Sequence, residues 1–178
     1  MRLKSLEGCR LKIGSYPAFL YNACGGGGLG TLRLGEKNNL LYVSFSSQTF
    51  SIPSLTSKTT KFLFLPLPLG IKIKMSMERL EGTIDKNSGE ILLEFESRFI
   101  LRIGSIFNFP DLLVKTSLKT GKVKSYLYEE EGLVRQENGK SKLVGVSMIP
   151  ITGHKLLDTF LGLPNEALAI LECEIKEY

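Results

Sequence analysis

From Glu90 to Ile103 the chain reads EILLEFESRFILRI, with Ile91, Leu93, Phe95, Phe99, Leu101 and Ile103 on one parity and Glu94, Glu96, Arg98 and Arg102 on the other. Strand side chains point alternately to two faces, so the pattern predicts one long strand with a buried face and a wet face. A helix would scatter the same residues around its axis. At about 3.3 Å per residue the strand would exceed about 40 Å, long enough to bend or to serve two parts of a sheet.

The same alternation recurs on both sides of it. Gly70 to Met77 sets Ile71, Ile73, Met75 and Met77 against Lys72, Lys74 and Ser76, and Arg79 to Ile84 leads into the polar turn Asp85 to Gly89, a hairpin signal. Asn108 to Asp111 makes the next bend, and Leu112 to Leu118 returns. Thr120-Gly121 then reverses the chain into a strand over Lys122 to Gln136, with a bulge or a break near Gly132. Asn138-Gly139 suits a type I′ turn, because both residues tolerate positive φ, and Lys142 to Ile151 is the returning strand.

Upstream, Cys9 to Ile13, Ala18 to Ala23 and Asn39 to Phe45 read as strands, the last continued by Gln48 to Ile52 up to Pro53. Thr60 to Gly70, TKFLFLPLPLG, carries apolar residues on both parities, which predicts either a strand buried on both sides or an extended segment crossing the core. Leu156, Leu157, Phe160 and Leu161 have helical spacing within Gly153 to Gly162, and Gly162 and Pro164 end that helix. Ala167 to Ile175 alternates as a strand, with a helix capped by Asn165 as the competing reading. The expected fold is mainly β: a single antiparallel meander of about eight to ten strands, closing into a barrel or a sandwich with one short helix near the C-terminus.

Composition keeps that picture. The 178 residues suit one domain spanning 1–178, and 43% hydrophobic with 23% charged residues is ordinary for a folded globular chain. The net charge of +5 permits attraction to polyanions, yet no basic block concentrates it, and Lys72, Lys74, Lys119, Lys122 and Lys124 fit the wet face of a sheet. Cys9, Cys24 and Cys173 are odd in number and widely spaced, which indicates neither a disulfide framework nor a zinc site and fits a reducing compartment. Residues 1–9 carry Arg2, Lys4 and Glu7, so no signal-peptide core is expected. The most apolar run, Phe62 to Leu69, is under half the length of a membrane span and holds Pro66 and Pro68. A protein of a reducing compartment, able to associate with a membrane surface, is the expectation.

Two stretches invite a binding role. In GGGGLG, Gly25, Gly27 and Gly30 match the GxGxxG spacing that lets a backbone approach a pyrophosphate. The following TLRLGEKNN is too short and turn-rich for the helix that fingerprint requires, and no acidic residue stands between Glu36 and Glu78 to hold a ribose, so a glycine-rich turn or bulge is the stronger reading. In the second stretch Phe62, Phe64 and Leu67, among prolines, could line an apolar lip over a pocket or docking surface, although core packing competes. No catalytic set is assembled. His154 is the single histidine, with Asp158 four residues on, no GxSxG and too few neighbours to complete a metal site; a surface or capping role fits it better. Glu94 and Glu96 alternate with a buried face and read as solvated, as does the run Glu129 to Glu131. Tyr126 and Tyr128 beside Lys122 and Lys124 form only a fragment of a nucleic-acid-binding face.

Several stretches together, YNACGGGGLG (Tyr21 to Gly30), TTKFLFLPLPLGIKI (Thr59 to Ile73), LEGTIDKNSGEILLEFE (Leu80 to Glu96) and KLVGVSMIP followed by LDTFLGLPNEAL (Lys142 to Leu168), resemble an uncharacterised family of cyanobacterial and chloroplast proteins. The resemblance implies a photosynthetic cell, in its cytoplasm or plastid stroma and near thylakoids, and brings no activity, cofactor or metal. The functional expectation is a non-enzymatic binding or assembly module that holds an apolar small molecule, such as a lipid or pigment, or assists a photosynthetic membrane complex. Its candidate ligand residues are Gly25, Gly27, Gly30, Phe62, Phe64 and Leu67. A nucleotide-using enzyme at Gly25–Gly30 and a nucleic-acid-binding protein are the alternatives.

Overall fold

The computed structural model describes residues 1–35 and 39–177. Its elements follow the order β1 (Arg2–Ser5), β2 (Cys9–Ile13), β3 (Phe19–Tyr21), β4 (Gly27–Leu34), β5 (Leu40–Phe45), β6 (Thr60–Phe62), β7 (Leu65–Pro66), β8 (Ile71–Asp85), β9 (Ile91–Ile103), β10 (Phe107–Asn108), β11 (Leu112–Lys119), β12 (Lys122–Lys124), β13 (Glu129–Glu131), β14 (Lys140–Ile149), α1 (Lys155–Leu161) and β15 (Asn165–Lys176). The protein is mainly β and antiparallel, with one short helix near the C-terminus among the described residues, as the alternation and the helical spacing around Leu157 predict.

Eight strands close a ring in the order β1, β4, β5, β8, β9, β11, β14, β15 and back to β1. The long strand β9 is the spine of that wall. It pairs with β8 from Ile91 opposite Ile84 to Ile103 opposite Ile71, and on its other edge Leu92–Phe99 pairs with β11. Both β8 and β15 are longer than the ring needs, and each serves two neighbours along one edge. Cys173–Lys176 of β15 lies beside β1, while Ala167–Ile170 of the same edge lies beside β2. Leu40–Ser44 of β5 pairs with Glu81–Asp85 of β8, whereas Ile73 further back along β8 bridges to Leu55. The ring therefore closes in one half of the molecule, and in the other half the wall continues from β15 through β2, β3, β6 and β7.

Two apolar clusters fill these halves. Leu3, Val43, Ile84, Leu93, Leu143 and Ile175 belong to the one inside the closed ring; Cys9, Tyr21, Leu55, Leu67 and Met75 form the other. Ile52 and Leu171 pack against both, so the two halves share a boundary of side chains. The interior of the ring is occupied by its own side chains: Leu3, Ile84, Leu93, Leu143, Cys173 and Ile175 are almost wholly removed from water. A third cluster of Tyr128, Val144, Leu168 and Ile170 lies against the outward parity of β14, beneath the hairpin β12–β13.

Four local differences from the pattern reading have physical causes. Gly70–Met77 and Arg79–Ile84 are one strand, because an extra residue at Glu78 makes a bulge between Met77 and Arg79 that preserves pairing with β9. Lys122–Gln136 is not a single strand but the small hairpin β12–β13, closed by Glu166, whose carboxylate accepts the amides of Tyr126 and Leu127. Gln48–Ile52 does not extend β5; only Ser51 bridges, to Gly27. Thr60–Gly70 is neither a doubly buried strand nor a core crossing but the hairpin β6–β7, whose tip lies in solvent. The stretch TLRLGEKNN, read as too short and turn-rich for a helix, includes residues 36–38, which lie outside the described residues.

Candidate functional site

Antiparallel register sorts the chain reversals to the two ends of the strands, and the two sets differ in composition. At the end where β8 meets β9 through Asp85–Gly89, three described reversals are polar: Asp-Lys-Asn-Ser-Gly there, Thr120-Gly121 after β11, and Glu137-Asn138-Gly139 before β14; the exposed apolar residues at this end, Leu34, Leu133 and Val134, lie outside these three. At the opposite end lie Leu63-Phe64, Pro68-Leu69-Gly70, Gly104-Ser105-Ile106 and the segment from Pro150 through α1. Each of these places a large apolar side chain in solvent.

The hairpin tip is the least ordinary of them. Phe62 pairs with Leu65, leaving a two-residue loop in which both Leu63 (φ 51°) and Phe64 (φ 65°) are left-handed. That is type I′ geometry, normally supplied by Asn-Gly, and for residues with bulky side chains it costs about 1–2 kcal/mol per residue. Strain of this kind persists where the surroundings impose it and is a pointer to function. Here it holds Phe64, 83% exposed, at the outermost point of the loop. The tip is rooted from behind by Phe62, whose ring stacks on Phe19 at 4.7 Å, and by Leu67, which is 6% exposed and donates its amide to the Thr60 carbonyl at 3.1 Å.

The next two reversals are joined to one another. The Gly104 amide donates to the Gly70 carbonyl at 2.8 Å, so Leu69 (90% exposed) and Ile106 (80% exposed) stand on linked turns, with Phe107 exposed beside them on β10. Phe109 then crosses to His154 with ring centroids 5.3 Å apart. His154 is the N-cap of α1: its Nδ1 accepts the Leu157 amide at 3.2 Å, which leaves the ring in a capping role. Leu157 anchors the helix inward, while Leu156 and Phe160, four residues apart on one face, remain exposed. Tyr16 in the β2–β3 turn contacts the Phe160 ring and donates its hydroxyl to the Phe160 carbonyl at 2.5 Å. Between that turn and α1 lies an open cleft of about 340 Å³, lined by Tyr16, Pro17, Phe160, Gly162 and Asn165.

Charge at this end is one-sided. Lys61, Lys72, Lys74, Arg102 and Lys155 are exposed, and among the described residues none of them is ion-paired. The nearby acids are occupied. Asp158 accepts from Thr152 Oγ1 (2.6 Å), the Thr152 amide and the Gly153 amide, which together hold its carboxyl below the usual range. Glu166 is held low by the Leu127 amide, the Ser125 hydroxyl and the Tyr126 amide. Asp111 faces Arg98, whose guanidinium also binds Glu78.

The residues singled out in the sequence divide accordingly. Phe62, Phe64 and Leu67 share one hairpin but face different ways: Phe64 to solvent, Leu67 to the core and Phe62 to Phe19. Gly25 is a turn residue at φ 88°, while Gly27 and Gly30 lie in β4 on the other side of the sheet path, and no strand pairing joins β4 to β6 or β7 among the described residues. Their amides serve the fold: Gly26 donates to Ala23, Gly27 to Ser51 and Gly30 to Met1. Gly28 and Gly30 are small because Phe50 and Phe45 occupy the space their side chains would need; a Cβ on Gly30 would lie 2.9 Å from the Phe45 ring. Ile106, Phe107, Leu156 and Phe160 belong to the exposed end, although the alternation pattern does not single them out. The signal that marks them is a large apolar residue inside a reversal bounded by glycine or proline, the position where polar residues are the default.

Other chemistry is sparse. Burial pushes the Cys9 thiol up to about 11 and raises the Cys173 thiol as well, so both are protonated at neutral pH. Among the described residues no three His, Cys, Asp or Glu side chains cluster to hold a metal, and no helix is long and apolar enough to cross a membrane. No protein-family model, no curated protein and no solved structure matches the chain.

Proposed function

We propose that the protein is a non-enzymatic docking module that engages an apolar surface through one end of its barrel. The observation that carries this reading is the asymmetry of the two ends: three described reversals at one end are built from Asp, Glu, Lys, Asn, Ser, Thr and Gly, while those at the other present Leu63, Phe64, Leu69, Ile106, Leu156 and Phe160 to solvent. Exposed apolar residues on turns add little to the core, and their concentration at one end of the strands marks that end as the candidate interaction surface. Because side chains fill the ring, an apolar lipid or pigment meets the protein on this outer end and in the cleft beside Phe160. The resemblance to cyanobacterial and chloroplast proteins supplies a setting, at or beside a photosynthetic membrane complex.

Hydrogen exchange in the presence of neutral maltoside micelles tests the reading. The expected result is protection of amides in residues 62–70, 104–111 and 151–162, with the Asp85–Gly89 and Glu137–Gly139 turns unchanged. Uniform exchange, or protection confined to the polar end, overturns it.

A further inference from the structure

We infer that the surface this end docks on is a lipid bilayer bearing anionic headgroups, with the Leu63-Phe64 tip and the Leu69 and Ile106 turns inserted below the headgroups and a collar of basic side chains lying among them. The inference rests on the docking reading above and names its partner.

Three observations converge on a bilayer rather than a folded protein partner. First, the apolar residues stand on separate projecting turns, a geometry that enters a fluid medium more readily than it matches a rigid surface. Phe64 is at the apex of a two-residue loop, Leu69 follows Pro68, and Ile106 sits in the turn leading to β10. Second, the basic residues occupy outward positions one or a few steps behind those apices. Lys72 pairs with Arg102 directly across β8 and β9, immediately behind Leu69 and Ile106; Lys61 is opposite Pro66 behind the Phe64 tip; Lys155 precedes Leu156 on α1. When the apices are immersed, long flexible side chains at those positions reach the headgroup layer, the arrangement in which Lys and Arg bury their stems and keep their charge wet. Third, the charge is unspent. The five basic groups have no ion-pair partners among the described residues and outnumber the carboxylates of this end, Asp111, Asp158 and Glu166; hydrogen bonds from amides and hydroxyls favour the charged form of Asp158 and Glu166, so these count against the basic excess, which remains positive. Each basic residue near an anionic leaflet strengthens binding about fivefold, and the attraction weakens as salt screens it.

Co-sedimentation of the full chain with vesicles tests the inference. On equal parts phosphatidylglycerol and phosphatidylcholine the protein should pellet, and on phosphatidylcholine alone partitioning should fall by at least about tenfold. The variant Lys72→Gln/Arg102→Gln should lose about tenfold or more on the anionic vesicles, with the remaining binding less sensitive to salt. Leu63→Asn/Phe64→Gly should lose binding as well, and since Asn-Gly suits the type I′ loop better than Leu-Phe does, an unchanged or raised unfolding midpoint shows that the loss is not misfolding. Absence of pelleting on the anionic vesicles overturns the inference, as does equal binding to both vesicle types or retention of binding by Leu63→Asn/Phe64→Gly. Sedimentation velocity completes the test: a Phe64-dependent dimer without vesicle binding would make a second copy the occupant and overturn the lipid assignment. Micelle protection at the same end with no anionic-vesicle preference would overturn the lipid assignment alone and leave the docking reading standing, whereas loss of micelle protection removes both.

Discussion

The Gly104 amide and the Gly70 carbonyl meet at 2.8 Å, and that bond ties the turn carrying Leu69 to the turn carrying Ile106. Gly70 adopts φ 93°, a conformation in which an L side chain is strained even though the nearest atom a Cβ would meet there, the Gly104 nitrogen, is 3.8 Å away. Gly70→Ala is therefore expected to lower stability by about 1 kcal/mol or more through backbone conformation alone. A denaturant titration measures the loss, and hydrogen exchange at Gly104 should quicken as the turn loosens. Unchanged exchange would show that the two turns are held by something other than this bond.

The faces of β9 can be separated with adjacent leucines. Leu93 is fully buried inside the ring, and Leu92, its neighbour, is on the outer face. Leu93→Ala should cost about 2–5 kcal/mol, from lost burial and the cavity left behind. Leu92→Ala should stay within about 0.5 kcal/mol, as expected for a surface substitution. Comparable losses from the two variants would mean that both faces of the strand are covered.

Most of the β framework is legible in the sequence because period-two alternation survives wherever a strand has one dry and one wet face. Ile91, Leu93 and Phe95 against Glu94 and Arg98 locate β9 within one residue of its observed start, and the helical spacing of Leu156, Leu157 and Phe160 locates α1. What the pattern misses has a common cause. β4 carries Gly27, Gly28 and Gly30, whose absent side chains give no alternation to read, yet they are strand residues kept small by what covers them: the Leu3 backbone over Gly27, Phe50 over Gly28 and Phe45 over Gly30. In Thr60–Gly70 the apolar residues read as core, and only the fold shows that Leu63 and Phe64 reverse the chain in solvent while Leu67 turns inward. Hydropathy records that a residue is apolar, not whether anything lies over it. No motif assigns a role to these residues, so the exposed end emerges only from register and burial.

Gly30 tests the packing explanation of the glycine-rich stretch. A methyl group there would lie 2.9 Å from Phe45 ring atoms and from Val43 Cγ2. Gly30→Ala should destabilise by about 1–3 kcal/mol, the usual range for an overfilled core. Combining it with Phe45→Leu should recover part of that loss, so the two changes are non-additive in a double-mutant cycle. Strict additivity would show that the ring is not what keeps position 30 small.

Acid should loosen the segment that carries the exposed helix. Asp158 holds Thr152 and Gly153, and Glu166 holds the β12–β13 loop; both carboxyls are depressed below their ordinary values by those hydrogen bonds. A depressed folded-state value means that the unfolded chain binds the proton more readily, so the contribution is fully present above the unfolded carboxylate range and is lost as pH falls through the folded values. Stability should accordingly be flat near neutral pH and decline in the acid range below the ordinary carboxylate values. In Asp158→Asn and Glu166→Gln the baseline should be lower and the acid decline shallower. Thermal unfolding across an acid pH series measures both, and a decline of undiminished steepness in the paired variant would assign acid sensitivity to other groups, such as Asp85, whose carboxyl is also held low by Ser88 and Asn87.

The hairpin tip offers the clearest conflict between stability and surface chemistry. Leu63 and Phe64 occupy left-handed conformations at φ 51° and 65°, and both side chains point into solvent, so they contribute little burial to offset the backbone cost. Asn and Gly adopt the same geometry with less strain. Leu63→Asn/Phe64→Gly is therefore expected to stabilise the protein by roughly 1–3 kcal/mol, seen as a raised denaturant midpoint at unchanged slope. If stability instead falls, Leu63 or Phe64 has a packing role in the folded chain, and exposure at the tip would no longer require an external partner to explain it. If stability rises as expected, the native tip is a local choice against folding stability, and a surface that takes up Phe64 accounts for it.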